Sequence, residues 1–295
     1  MIGGVSFSSL ITQLFMGLQI GMVYVLLAIG LSLIFGLMTV VNFAHGAFFM
    51  FGAYMGLFMM GLTGNFWLSL VFVPVATGLL GLVVERFTIR PLYGRDLIYP
   101  LLLTFGLSFV MIEGVRLIWG TGGTPFNTPS MLTGPVNLGF ALFPKYRVFV
   151  IVVTALIVLG LWLFLEKTNL GLVIRAGTRD SIIVRVLGVD ISRIWFIVFG
   201  IGTALAGIAG LLAAPMRGVH PDMGIGMLIE CFVVVVVGGM GSILGAVVAG
   251  LLIGEVVSMV SMFYPMMGEV AIFIFMAIVL LIRPSGLFGE VGLLE

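Results

Sequence analysis

VVNFAHGAFF, Val40 to Phe49, sets Asn42, His45 and Gly46 into a stretch that is otherwise largely apolar from Leu10 to Met60. About 20 apolar residues cross a hydrocarbon core of about 30 Å as a helix. The Leu10–Met60 stretch is too long for one crossing, so it must turn, and the polar residues fall where a turn is needed. Asn42 and His45 also fit a catalytic or metal site, or a contact with a solute. Spaced i and i+3, they share a face if the backbone is helical there, and Asn42 can cap the helix that follows.

The rest of the chain decides what kind of protein surrounds this turn. At 61% hydrophobic, 8% charged and a mean hydropathy of +1.33, a soluble globule is excluded. A β-barrel would show short alternating segments. Here the apolar runs are continuous and rich in Leu, Val, Ile, Phe, Met and Gly, which predicts an all-α, polytopic integral membrane protein. A net charge of +1 offers no electrostatic case for nucleic acid. The single cysteine, Cys231 in CFVVVVV, reads as a buried thiol with no disulfide. The first 30 residues hold no Lys or Arg, so the basic region of a cleaved signal peptide is missing and the N-terminus is expected to stay.

Gly, Pro and charge punctuate apolar segments near 10–37, 43–62, 66–84, 98–118, 148–165, 193–214, 227–262 and 268–283. The 227–262 segment is broken by GGMGS and reads as two passes, one of them short, for about eight or nine in all. The loops 85–96 and 166–193, with Arg283, carry nine of the thirteen basic residues and fall on one side of this count. That side is predicted to be cytoplasmic. The N-terminus and the loop 119–147, with four prolines and five glycines, then lie outside, the loop as an irregular cap. The C-terminus falls inside.

GAFFMFGAYMG (46–56) and GGMGSILGAVVAG (238–250) echo one another weakly. Transporters contain repeated halves whose broken helices meet near mid-membrane. Small residues at this spacing also let any two membrane helices pack closely. On either reading Gly239, Gly241 and Ser242 mark a helix break, and together with Asn42, His45 and Gly46 they are the candidates for lining a path.

The inventory for catalysis is thin. The two histidines, His45 and His220, fall on opposite sides, and no HExxH or GxxxxGK[ST] occurs, so neither a metal centre nor a Walker-type ATP site is predicted. No cofactor is implied. Carboxylates within spans are costly. Glu113 and Arg116 can pair at i and i+3, Glu230 and Glu269 lie near outer boundaries, and Glu255 is the deep candidate.

TRDSIIVRVLGV, within 166–193, reads as a short amphipathic helix. Thr178 is the expected N-cap, Asp180 sits in the first turn and Gly188 is the stop. Ile182, Ile183, Val186 and Leu187 share one face. TNLGLVIRA before it forms a second short turn capped by Thr168 or Asn169. An apolar face with a basic rim suits either a groove on a partner protein or anionic lipid.

Six stretches now carry a resemblance. They are GLSLIFGLMTVVNFAHGAFFMFGAY (30–54), ERFTIRPLYG (85–94), LGLVIRAGTRDSIIVRVLGV (170–189), ALAGIAGLLAAP (204–215), VVVGGMGSILGAVVAGLLIG (235–254) and RPSGLFG (283–289). In this order they resemble the LivH-type permeases of branched-chain amino acid ABC importers. The resemblance implies a bacterial inner-membrane subunit that is not itself an enzyme. It implies a heterodimer with a LivM-type permease, two cytoplasmic ABC ATPase subunits that hydrolyse ATP, and a periplasmic solute-binding protein. The 168–189 loop corresponds to the family's ATPase-contacting segment, with Arg175, Thr178, Arg179, Asp180, Ile183, Val186, Leu187 and Gly188 as its candidate residues. Relatives tend toward a small or acidic pattern after Arg-Ala, where this chain has Gly177-Thr178-Arg179-Asp180. Permeases of this type also resemble those for urea, amides and aromatic acids, and an ion-coupled carrier is the rival class.

Overall fold

The computed structural model describes residues 7–137, 139 and 142–289; the ends of the chain, whose sides were predicted above, lie outside the described residues. Among those described, eight helices are long and apolar enough to cross a membrane. The helices run α1 (Phe7–Met38), α2 (His45–Thr63), α3 (Phe66–Val84), α4 (Ile98–Trp119), α5 (Lys145–Lys167), α6 (Asn169–Arg179), α7 (Ser181–Val186), α8 (Ile191–Arg217), α9 (Met223–Gly238), α10 (Ile243–Phe263) and α11 (Gly268–Ile282). α6 and α7 are short connectors, and α9 is a shorter apolar helix. A small hairpin, β1 (Pro135–Asn137) against β2 (Leu142–Pro144), lies between α4 and α5.

α1 and α8 form the centre and are buried along most of their length, whereas α4, α5 and α11 turn most of their surface outward. Composition accounts for this. α8 contains TALAGIAGLLAA, whose small residues admit close neighbours on every side. The outward helices keep large apolar side chains such as Phe105, Leu156 and Ile274 on their exposed faces, which costs nothing where the solvent is lipid.

Packing within the chain repeats itself upside down. α1 runs antiparallel along α10, with Gly17 against Glu255, Gly21 against Gly250 and Gly36 against Gly241. α8 runs antiparallel along α3 in the same way, with Gly207 against Thr77 and Thr203 against Gly81. α2 lies on α8, α3 and α4, as α9 lies on α1, α10 and α11. Even the caps correspond. Asn65 Oδ1 accepts from Trp67 N at 2.9 Å at the start of α3, and Ser242 Oγ accepts from Gly245 N at 3.0 Å at the start of α10. α1–α4 and α8–α11 are two inverted copies of one arrangement, with α5, α6 and α7 inserted between them. The echo read from sequence paired α2 with α10, one helix away from its structural counterpart α9.

The nine basic residues of the two loops and Arg283 gather at one end, formed by the end of α3, α6, α7, the start of α8 and the segment after α11. We call this the basic end. At the opposite end, Arg116 holds Glu113 at 2.5 Å, the pair expected at i and i+3, and also Asp222 at 2.7 Å. Thr124 and Val219 exchange backbone hydrogen bonds there, tying the 119–147 loop to the end of α8.

Candidate functional site

The turn between α1 and α2 brings His45 deep along α1. α1 ends at Met38, Thr39 adopts a positive φ of 52°, and the chain then runs back along α1 to start α2 at His45. His45 Nε2 is 3.0 Å from Leu27 O, eleven residues before the end of α1, or roughly 16 Å along its axis. A carbonyl can only accept, so Nε2 carries the proton and donates to it. Asn42 does not occupy the cap position. Its Oδ1 accepts from Ala44 N at 3.1 Å, and Ala44, the residue before α2, supplies no side-chain cap. This local turn replaces the expected cap because six residues must reverse direction, with Val40, Asn42 and Ala44 buried among them. Asn42 Nδ2 and His45 Nδ1 have no partner among the described residues. Asn42 is the one polar side chain lining an apolar cavity of 430 Å³ between α1, α9 and α11.

Gly46 completes this centre. It meets Gly224 and Leu228 of α9, while Gly224 meets Gly46 and Met50 of α2. The starts of the two inverted helices therefore cross reciprocally.

Gly239, Gly241 and Ser242 lie elsewhere. They form the turn between α9 and α10 at the basic end, with φ of +100° at Gly239 and +84° at Gly241, a backbone region suited to glycine. This is the predicted helix break, but it packs at Gly36, about two turns of α1 from His45. The two candidate groups are not one site. RPSGLFG folds onto the turn, with Leu287 N donating to Val237 O at 2.8 Å and Phe288 N to Gly238 O at 3.0 Å. Those bonds satisfy carbonyls that the end of α9 would otherwise leave unpaired.

The GGMGS turn does meet the 168–189 loop. Thr178 and Arg179 share a cavity of 160 Å³ with Gly36, Gly241, Ser242 and Phe288. α6 docks through Ile174 and through Gly177, which packs on Leu37 of α1 and Ile191 of α8. Arg175 turns back to Glu166 on α5 at 2.8 Å. Thr178 belongs to α6 and donates to Arg175 O at 2.8 Å, so it caps nothing. Asp180 is the cap, its Oδ1 accepting from Ile182 N and Ile183 N, each at 2.9 Å. A carboxylate at a helix start also meets the positive end of the dipole, which outweighs the threonine two residues earlier. Gly188 ends α7 at φ +85°, as expected. Ile182, Ile183, Val186 and Leu187 are between 57% and 81% exposed, while Val184 behind them is 5% exposed.

One cluster escaped the sequence reading. ERFTIRPLYG forms a π-turn over Glu85–Ile89 and a 3₁₀ turn over Arg90–Leu92 at the end of α3. Glu85, fully buried, accepts from Arg90 Nε at 3.3 Å and from Tyr93 Oη. Arg90 donates to Ser192 O at 3.2 Å and covers the Phe196 ring, and Tyr93 meets Trp195 edge-on at 4.4 Å. The cluster clamps α3 to the start of α8, directly after α7. The E-x₄-R-x₂-Y spacing was the available signal, but its partners lie about a hundred residues away in sequence.

The family described as "Branched-chain amino acid transport system / permease component" matches residues 13–283. The chain is 32% identical over 292 residues to the high-affinity branched-chain amino acid transport system permease protein BraD of Pseudomonas aeruginosa, covering 94% of this chain and 95% of that protein. It is 29% identical over 294 residues to the corresponding permease protein LivH of Escherichia coli, covering 94% and 95%. Similarity extends to the permease protein LivM of Escherichia coli, at 27% over 256 residues, covering 79% of this chain and 60% of that protein.

Proposed function

The chain belongs to the branched-chain amino acid transport permease family, and from that premise we propose that it is the LivH-type half of an ATP-driven importer. The other half is a LivM-type chain, a reading supported by the similarity of this chain to LivM. The basic end faces the cytoplasm of a plasma membrane, in keeping with the bias of Lys and Arg, and the 119–147 loop faces outside. The solute is a branched-chain amino acid handed over by a binding protein, and ATP is hydrolysed on two separate cytoplasmic subunits.

The observation that carries this reading is the bare face of α7. Four large aliphatic side chains stand free at a charged end, backed by a buried anchor and rimmed by Arg179 and Arg185. A groove on an ATPase subunit covers such a face in the helix-in-groove mode. Motion of α7 then passes to α8 and, through the Glu85 clamp, to α3. It passes through α6 to the end of α1 and to the GGMGS turn. The inverted halves supply a pivot at Gly46 and Gly224 about which access can alternate.

Reconstitution tests the proposal. Leucine uptake into proteoliposomes is expected only with the second permease, ATPase subunits, ATP and binding protein present together. Accumulation by this chain alone, or driven by an ion gradient without ATP, would overturn it. Leu187→Asp and Arg179→Glu are expected to lower ATPase co-purification and uptake while membrane insertion stays normal, since both residues are exposed.

A further inference from the structure

At the end opposite to the basic one, a cavity of 170 Å³ lies between α1, α5 and α8. Arg147 and Arg217 both line it, with Gln19 and Tyr24 of α1. Arg217 is compensated by Glu230 at 3.3 Å, and the Tyr24 hydroxyl sits with that pair. Arg147 is not compensated. Among the described residues it has no carboxylate partner, and its one polar contact is Met16 Sδ at 2.8 Å. A thioether is a weak acceptor for a group with five N–H donors.

Gln19 repeats the anomaly. It is 4% exposed, yet its side chain makes no hydrogen bond among the described residues. Its amide borders the same cavity, where its two N–H donors are free to meet what enters. A guanidinium without a carboxylate and an amide without a hydrogen bond, among the described residues, thus line one space. The surrounding charges sum to about one positive charge, since Glu230 offsets Arg217. The site lacks a planar, singly charged acceptor.

We propose that this cavity binds the carboxylate of the solute as it enters the permease. Arg147 is the main ligand, in the fork geometry that guanidinium and carboxylate share. Gln19 donates a further hydrogen bond to the same group. Below the cavity α5 continues as the wall of an apolar groove of 600 Å³, past Leu159 and Trp162 toward the basic end. The carboxylate site rests on the reading of the chain as an amino acid permease.

The test uses the assembled transporter in phosphatidylcholine nanodiscs, with equilibrium binding of radiolabelled L-leucine. Arg147→Gln is expected to weaken binding roughly ten- to hundredfold, the loss of one charge-assisted contact. Arg147→Lys retains part of it, and Gln19→Leu loses less than Arg147→Gln. Isovalerate, which keeps the carboxylate, competes, whereas L-leucinamide, which lacks it, does not. Thermal midpoints of the variants serve as the check on folding, and Gln19→Leu stands in should Arg147→Gln fail it. Three results overturn the proposal: no saturable leucine binding to the wild type, leucinamide competing as well as isovalerate, or variants that bind leucine like the wild type. Loss of retained phosphatidylglycerol in Arg147→Gln, with leucine binding unchanged, would reassign the cavity to a lipid anion. ATP-driven uptake by the same wild-type preparation separates the two levels. With uptake intact, a negative binding result strikes the carboxylate site alone; without uptake, the permease reading fails on its own evidence.

Discussion

Gly46 and Gly224 lie against one another's carbonyl oxygens at the crossing of α2 and α9. A Cβ on Gly46 would come 2.1 Å from Gly224 O, and one on Gly224 would come 2.3 Å from Gly46 O. Both obstacles are backbone, so no rotamer change relieves them. Gly46→Ala and Gly224→Ala are each expected to cost about 1–3 kcal/mol, the usual penalty for overpacking. The control is Gly106→Ala in α4, where nothing lies within 4 Å and the change should stay within about 0.5 kcal/mol. Unfolding midpoints in one detergent compare the three. Equal midpoints would mean that the helices part freely at this crossing.

Asp180 and Thr178 offer a second discrimination. Asp180 accepts the first two free amides of α7, and Thr178 does not touch them. Asp180→Ala should destabilise the α7 start by about 0.5–2 kcal/mol, read as faster amide exchange at Ile182 and Ile183. Thr178→Ala should leave those amides unchanged. Faster exchange in the threonine variant instead would restore the start of the helix to Thr178.

These positions also show what could be read in advance. Composition and the length of apolar runs are sums over many residues, so the all-helical membrane fold and the number of crossings were legible. The face Ile182, Ile183, Val186 and Leu187 was legible because helical spacing is local. The cap of α7 was missed by two residues because Thr and Asp both fit the position, and only the direction of the backbone chooses between them. The depth of His45 depends on Leu27, and the partners of Glu85 depend on the start of α8. Contacts across that separation leave no mark on hydrophobic periodicity. The inverted repeat was hidden for a related reason. It is conserved between helices as packing, while Gly46 and Gly224 are the small remnant of it in residue identity.

The Glu85 clamp leads to a prediction in stability and in pH. Glu85 is fully buried with Arg90 and Tyr93 on it, so Glu85→Ala leaves a cation without its partner. The cost should be about 3–5 kcal/mol, against about 1 kcal/mol for Tyr93→Phe. Burial, followed by the hydrogen bond to Glu85 and its charge, raises the Tyr93 phenol above its ordinary value. The folded chain keeps this proton beyond about pH 10, where an exposed phenol ionises. The unfolded chain then binds fewer protons, so stability falls as pH rises above about 10. Denaturant midpoints between neutral pH and pH 11 should fall more steeply for the wild type than for Tyr93→Phe. Parallel curves would show that Tyr93 does not hold its proton in the folded state.

His45 is the last case, and it separates a structural role from a role in the path. Its Nε2 pins the start of α2 to Leu27 O, and its Nδ1 has no partner among the described residues. Leucine has no polar atom to leave unpaired, and Leu27 O stays within the helix ladder of α1. His45→Leu therefore loses one net hydrogen bond and should cost less than about 2 kcal/mol. A charge at the same place is another matter. His45→Lys puts an ammonium where no carboxylate among the described residues is paired with this position, deep within the packed helices, and is expected to prevent folding. If the imidazole is a pin, His45→Leu transporter with near-native thermal stability also transports leucine at close to the wild-type rate per folded molecule. If it touches the solute instead, the same variant will melt normally and transport nothing. Asn42→Leu, which removes the polar side chain from the 430 Å³ cavity, then serves as the companion measurement. Loss of uptake in both variants at unchanged stability would place the path through this turn, and retention in both would leave it as the hinge on which α2 is hung.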